Sequence, residues 1–229
     1  MKRNTLSLVL FCLFVIFLLA GGCSKHKKQA NTILKKTGIK GGIIAHLGVE
    51  TGKLTVGLHA DSACLVHALS SNQNNVETAR EYIKKQGLYG SVSAEMFDGR
   101  HLPYGDNIVN LMVVDDVFRV SGEEIERVLV PGGVALVRSG SSLLDSSALQ
   151  KNQQFNRWTA YKKPWPDTIG EWTHYLNDAT GNMVTDDKLV GIPQHLQWHA
   201  GPTYSRHHDA LASMSAMTSS GGRVFYIYD

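Results

Sequence analysis

The chain has 229 residues, of which 43% are hydrophobic and 19% charged. At roughly 100–200 residues per domain, that length allows one domain and part of another, or two small ones. The composition excludes wholesale disorder, collagen and coiled coil, and one long apolar run, Leu6 to Ala20, excludes several membrane spans. The net charge of +3 is unevenly placed: residues 1–40 hold eight Lys/Arg and no Asp/Glu, and the rest holds fifteen basic against twenty acidic groups. The body of the protein is mildly acidic, and a basic stretch beside an apolar run reads as membrane-proximal rather than nucleic-acid-binding.

Lys2 and Arg3 form a positive start, followed by an apolar stretch of about 15 residues from Thr5 to Leu19. That is short for a membrane span, which needs roughly 20. Ala20-Gly21-Gly22-Cys23 follows and resembles the lipobox of bacterial lipoproteins, with Ala20 where Leu is usual. An uncleaved signal anchor is the alternative. The resemblance implies cleavage before Cys23, lipidation of that residue and a membrane anchor in the bacterial cell envelope. Ser24 in place of Asp points to the outer membrane, facing the periplasm. Buried acyl chains contribute about 0.8 kcal/mol per CH₂ to such anchoring. With Cys12 in the signal and Cys23 modified, Cys64 is left without a disulfide partner, and its apolar neighbours predict a buried, inert thiol. Residues 24–40 read as a basic tether, unstructured over Ser24–Gln29, with a short helix over Ala30–Lys36 ending near Gly38.

Short apolar runs bounded by turn signals predict strands at Gly42–Leu47, Cys64–Leu69, Ser91–Phe97, Ile108–Val114 and Gly133–Val137. Val76, Ala79 and Ile83 share one face of a helix expected over Asn75–Gln86, closed by Gly87. A second helix is expected over Ser121–Leu129, with Ser121 as N-cap and Glu123 and Glu124 in the first turn, broken by Pro131-Gly132-Gly133. Strands alternating with helices predict an α/β, doubly wound parallel sheet that binds ligands at the carboxyl ends of its strands.

Three segments then carry a family resemblance. Leu47-Gly48-Val49-Glu50-Thr51-Gly52 follows the first strand where class I S-adenosylmethionine (SAM) methyltransferases have a glycine-rich loop. Phe97-Asp98-Gly99-Arg100-His101-Leu102-Pro103-Tyr104 resembles their D-x-x-x-L-P-F/Y segment. Glu124-Ile125-Glu126-Arg127-Val128-Leu129-Val130-Pro131-Gly132-Gly133 resembles their E-x-x-R-V-L-x-P-G-G segment. The resemblance implies a partial class I methyltransferase-like Rossmann domain over residues 41–139, with SAM as its cofactor. It places His46, Gly48, Glu50, Gly52, Ser70 and Asp98 at the cofactor positions.

Several of those positions depart from the family. Glu50 stands where the family has glycine, so its carboxylate crowds the methionine end of SAM. His46 replaces the acidic end of strand 1. Ser70 replaces the Asp or Glu that binds the ribose, losing a charge-assisted contact. Asp98 retains the adenine-amine acceptor. Five strands are found before Ser139, and the closing hairpin of the fold is expected to be missing. A lipoprotein also faces away from the cytoplasm, where SAM is made.

Other motifs carry less. Gly48-Val49-Glu50-Thr51-Gly52-Lys53 is one residue short of a P-loop, and Leu54 stands where Ser or Thr must reach Mg²⁺. Asp115-Asp116 reads as a solvated strand end, with a cation site as the alternative.

Residues 140–170 read as a linker, with a short helix over Leu143–Phe155. Beyond it the composition changes: all four Trp (Trp158, Trp165, Trp172, Trp198) lie after residue 150 and four of six Pro lie after residue 163. Aromatics without helical period predict β-structure. Glu171-Trp172-Thr173-His174-Tyr175-Leu176, Gly191-Ile192-Pro193, Leu196-Gln197-Trp198 and Ser205-Arg206-His207-His208-Asp209 resemble the start of PQQ-type quinoprotein propellers. Ser219-Ser220-Gly221-Gly222-Arg223-Val224-Phe225-Tyr226 fits their recurrent G-G-K/R-V-F/Y blade element. Residues 171–229 are thus expected to open an incomplete, β-rich propeller. A propeller needs 4–8 blades, so the chain is expected to be part of a longer protein. His195, His199, His207 and His208 read as packing residues rather than metal ligands.

Two functions compete. The first is an envelope-anchored protein whose degenerate SAM-type domain and propeller serve binding or assembly with envelope partners. The second is an enzyme, either a SAM-dependent methyltransferase or, with further blades supplying PQQ, a quinoprotein dehydrogenase.

Overall fold

A computed structural model describes residues 25–115, 119–189, 191 and 216–226. The lipobox with Cys23, together with Asp116, His195, His199, His207, His208 and most of the propeller-like segment, lies outside the described residues. The chain divides into two compact units, Met1–Trp165 and Pro166–Asp229. Among the described residues, no helix is long and apolar enough to cross a membrane.

The first unit is a seven-stranded sheet with helices on both faces. Its elements are α1 (25–37), β1 (Gly42–Leu47), α2 (Lys53–Leu58), β2 (Cys64–Ser70), α3 (Gln73–Lys85), β3 (Val92–Met96) and β4 (Val109–Val114). They continue as α4 (Gly122–Val128), β5 (Leu129–Arg138), β6 (Gln150–Phe155) and β7 (Trp158–Lys162). The strand order is β3-β2-β1-β4-β5-β7-β6. The first five strands pair in parallel, and β7 runs antiparallel to both β5 and β6.

Burial explains the parallel core. Both faces of β4 are covered, so Val109, Leu111, Met112, Val113 and Val114 are all buried, and the run is almost wholly apolar. One face packs Ile44, Val66, Val113, Leu136 and Trp158 against Ala30 and Ile33 of α1, Leu54 and Leu58 of α2, and Val76, Ala79 and Ile83 of α3. The other packs Leu47, Leu69, Met112 and Ala135 against Ile125 and Val128 of α4, with Leu102 and Leu144 from connecting segments. Cys64 is free and buried. Ser121 caps α4 by accepting from the Glu124 N–H at 3.1 Å.

Three expectations need correction. The closing hairpin is present: β6 and β7 complete the sheet, so residues 150–162 are neither linker nor helix. A turn with Asn156 at φ 52° joins the two strands, and Trp158, 1% exposed, anchors β7 in the core. The basic tether is instead mostly α1, which includes residues 25–29 and buries Ala30 and Ile33 completely. It ends where expected, at Gly38, with φ 71° and its N–H bonded to the Leu34 carbonyl. Finally, Pro131-Gly132-Gly133 does not precede β5 but lies within it, as an irregularity between the partners of Val109 and Leu111. A Cβ at Gly133 would meet the Val130 carbonyl oxygen at 2.8 Å, so only glycine permits that bend.

The described part of the second unit is turn-rich, with one hairpin, β8 (Met217–Ser220) and β9 (Arg223–Tyr226). Gly221 and Gly222, with φ 56° and 73°, make its two-residue turn. The Glu171 carboxylate accepts from the Gly221 N–H at 2.8 Å and the Ser220 hydroxyl at 2.9 Å.

Candidate functional site

A cleft of about 270 Å³ opens at the carboxyl edge of the sheet. The parallel register brings Leu47 beside Val114 and Val113 beside Leu136, and the antiparallel β7 sets Trp158 opposite Arg138. Residues following or ending these strands therefore converge. His46, 3% exposed, has Nδ1 2.9 Å from the Thr55 hydroxyl and Nε2 3.9 Å from the Asp115 carboxylate. Arg138 Nη2 donates to Asp115 at 2.7 Å, and Arg157 Nη2 donates to it at 3.0 and 3.3 Å. Burial pushes the Asp115 pKa up, but His46, Arg157 and Arg138 outweigh it and hold the carboxyl below its ordinary value. Asp115 is therefore an enclosed, paired carboxylate and not a solvated strand end.

The glycine loop crosses the same cleft. Gly48 and Gly52 have φ 90° and 74°, and a Cβ on Gly52 would lie 3.2 Å from the Ala79 backbone. The N–H groups of Gly48 and Val49 both donate to the Leu69 carbonyl, at 2.9 and 3.3 Å. Glu50 is exposed and lines the cleft, and its φ is not among the positive ones. Replacing glycine there costs no backbone strain, so its consequence is a charged side chain at the cleft.

Ser70 ends β2 and is 4% exposed. Its hydroxyl accepts from the Asn72 N–H at 3.2 Å, while the Asn72 side chain caps α3. Asp98 turns its carboxylate onto its own loop. One oxygen accepts from the N–H groups of Arg100 and His101 at 2.7 Å, and the other from His101 Nδ1 at 2.7 Å. The His101 side-chain bond, then the two backbone bonds, hold Asp98 at a pKa of about 2.

The E-x-x-R segment is explained by what it holds. Glu124 accepts from the buried Leu102 N–H at 2.9 Å and from two nitrogens of Arg127, each at 2.8 Å. Arg127 also donates to the Tyr104 carbonyl at 3.0 Å and to Asp106 at 2.6 Å. Helix α4 thus pins the loop that carries Asp98 and Leu102. The Tyr104 hydroxyl lies 2.9 Å from His67 Nδ1, with the rings edge to face. Burial pushes the Tyr104 pKa up and the His67 pKa down.

His46, Gly48, Glu50 and Gly52 are brought together at the cleft, whereas Ser70 and Asp98 are not among its lining residues. Missing from the sequence reading were Arg138, Arg157, and His26 and Gln29 of α1, which also line it with Lys53 of the set-aside P-loop-like segment. Placing α1 and the β6–β7 hairpin in the domain is what reveals His26, Gln29 and Arg157.

No protein-family model matches the chain. The methyltransferase GfsG of Streptomyces halstedii is 29% identical over 100 residues, covering 39% of this chain and 34% of the relative. The chain thus matches about a third of that relative's length. The crystal structure of the [4+2]-cyclase SpnF is similar with a TM-score of 0.53 at 15% identity, covering 61% of this chain and 81% of SpnF. A SAM-dependent methyltransferase from Aquifex aeolicus gives a TM-score of 0.48 at 17% identity, over 61% of this chain and 97% of that one. The strand order, the local identity to GfsG and the likeness to SpnF give the first unit a Rossmann-like, class I methyltransferase-like fold.

Proposed function

We propose that this domain uses a methyltransferase-like fold for binding or assembly and does not transfer a methyl group from SAM. One observation carries the reading: the polar groups at the three anchor positions are engaged by the chain itself. His46 contacts Thr55 through Nδ1, Ser70 accepts from Asn72, and Asp98 accepts three bonds from its own loop. A carboxylate offers about four lone-pair sites and the loop takes three, so an adenine amine is left one site, on the oxygen that already faces His101. The test is equilibrium dialysis of labelled SAM against the full chain in detergent, beside a Glu50→Gly, Ser70→Asp double variant. The reading expects no retention by the native chain. Saturable retention at micromolar SAM by the native chain would sink it.

The active-enzyme reading rests on the open cleft beside the glycine loop and on the identity to GfsG. Methyl transfer to any acceptor by the native chain would favour it. Residues 171–229 are proposed as the opening of a PQQ-type propeller, supported by the Gly221-Gly222 turn ahead of β9. Reading frames that extend past Asp229 into repeated four-stranded units would support that assignment. Cys23 is proposed as the lipid anchor in the bacterial envelope. Incorporation of labelled palmitate, lost in Cys23→Ala, is the expected result.

A further inference from the structure

Five buried side-chain nitrogens lack a hydrogen-bond partner among the described residues. Three of them, His26 Nδ1, Gln29 Nε2 and His46 Nε2, belong to residues lining the cleft at the carboxyl edge, and His46 Nε2 faces the Asp115 carboxylate at 3.9 Å, beyond hydrogen-bond reach. A buried polar group without a partner is costly, so such a concentration marks a place built to receive one. The side chain of His46 is 4% exposed. The tautomer that accepts from the Thr55 hydroxyl carries its proton on Nε2, which makes that atom a donor. Gln29 adds an amide donor, and α1 fixes it one turn from His26 by burying Ala30 and Ile33.

The charges complete the picture. Lys53 lines the cleft and forms no ion pair among the described residues. Arg138 and Arg157 face one carboxylate, Asp115. A guanidinium has five N–H donors. Arg138 directs Nη2 to the Asp115 carboxylate and Nε to its backbone carbonyl, and Arg157 directs one nitrogen to the carboxylate, so both keep donors in reserve. Asp115 is therefore spent as an acceptor, and Glu50 is the other carboxylate of the lining. Three fixed cations against two carboxylates leave a cleft rich in donors.

We infer that this cleft binds a small oxyanion, a carboxylate or phosphate, through Arg138, Arg157, Lys53, His46, His26 and Gln29. The inference rests on the reading that SAM is not the occupant. It gives the domain a ligand class that neither the glycine loop nor the Asp98 segment supplies.

The test is calorimetric titration of citrate and of inorganic phosphate, separately, into the full chain in detergent at fixed ionic strength. Saturable binding of either probe is expected, and the probe that binds tells carboxylate from phosphate. Loss of one charge-assisted contact should weaken it about ten-fold or more in Arg157→Gln and in Lys53→Gln. Both side chains sit on a turn or helix surface, so the fold should survive, as circular dichroism would show. Lys35→Gln, exposed on α1, should bind as the native chain does. Absence of binding by both probes overturns the inference, as does equal affinity in Arg157→Gln and Lys53→Gln. SAM titrated in parallel separates the two readings. If neither oxyanion nor SAM binds, only the oxyanion site falls. If SAM binds and the oxyanions do not, both fall.

Discussion

Replacing Glu124 with Ala removes the acceptor that ties the Asp98-bearing loop to α4. The Leu102 N–H, in a residue 4% exposed, loses its bond to Glu124. An amide left buried and unpaired costs about 1–3 kcal/mol. The lost pair with Arg127 adds about 0–1 kcal/mol, because that side chain is 35% exposed and screened by solvent. The sum is about 1–4 kcal/mol, which at roughly 2–4 °C per kcal/mol predicts a fall in Tm of about 2–16 °C. Thermal unfolding followed by circular dichroism measures it, and hydrogen exchange should show faster exchange at the Leu102 amide. Glu124→Gln keeps an acceptor for that amide and should lose less. The bonds from Arg127 hold the Glu124 carboxyl below its ordinary pKa against the opposing effect of burial. Its folded value is therefore depressed, so the stabilisation is present above the unfolded carboxyl pKa and is lost as pH falls through the folded one. An unchanged Tm in Glu124→Ala, with unchanged protection at Leu102, would refute this account of the E-x-x-R segment.

Trp158→Ala should destabilise the first unit by about 3–5 kcal/mol, measured by denaturant titration, because the indole is buried in the core shared with α1. A near-neutral result would show that β7 is not part of the domain. Gly52→Ala should cost about 1–3 kcal/mol in the same assay, since φ is +74° and the new Cβ meets the Ala79 backbone. Its glycine would then be structural, and the native stability of an alanine variant would argue otherwise. Burial depresses the His67 pKa from its ordinary 6.5, with Glu95 opposing. The unfolded chain then binds the proton first, so stability is full above the ordinary value and declines as pH falls through the folded one. Denaturant midpoints at about pH 7 and about pH 5 should differ less in His67→Gln than in the native chain; an equal difference would remove His67 from the account.

The parallel core was legible because its strands are fully buried and therefore read as continuous apolar runs. Gly42–Leu47 was bounded correctly, and Val76, Ala79 and Ile83 form the buried face expected of α3. Strand β6 was not legible, since Gln150–Phe155 is an edge strand of mostly polar, exposed residues without alternation. Helix α1 was hidden by its lysines, which outnumber the few buried positions at Ala30 and Ile33. Those two omissions explain the gap in the site. His26, Gln29 and Arg157 come from α1 and the β6–β7 turn, so a reading that omitted these elements could not assemble the cleft. Asp115 was visible, but its pairing depends on Arg138 and Arg157, which lie 23 and 42 residues away.

The central claim is that the family's SAM anchors are committed within the chain. Amide chemical shifts of Gly48, Ser70, Gly99 and Arg100, followed by heteronuclear NMR while SAM is added to the full chain in detergent, test it residue by residue. The account predicts no saturable movement at these four amides up to about millimolar SAM, an affinity floor near −4 kcal/mol. Concerted, saturable shifts at the glycine loop and the Asp98 loop would contradict it and return the domain to the methyltransferases in function as well as in fold.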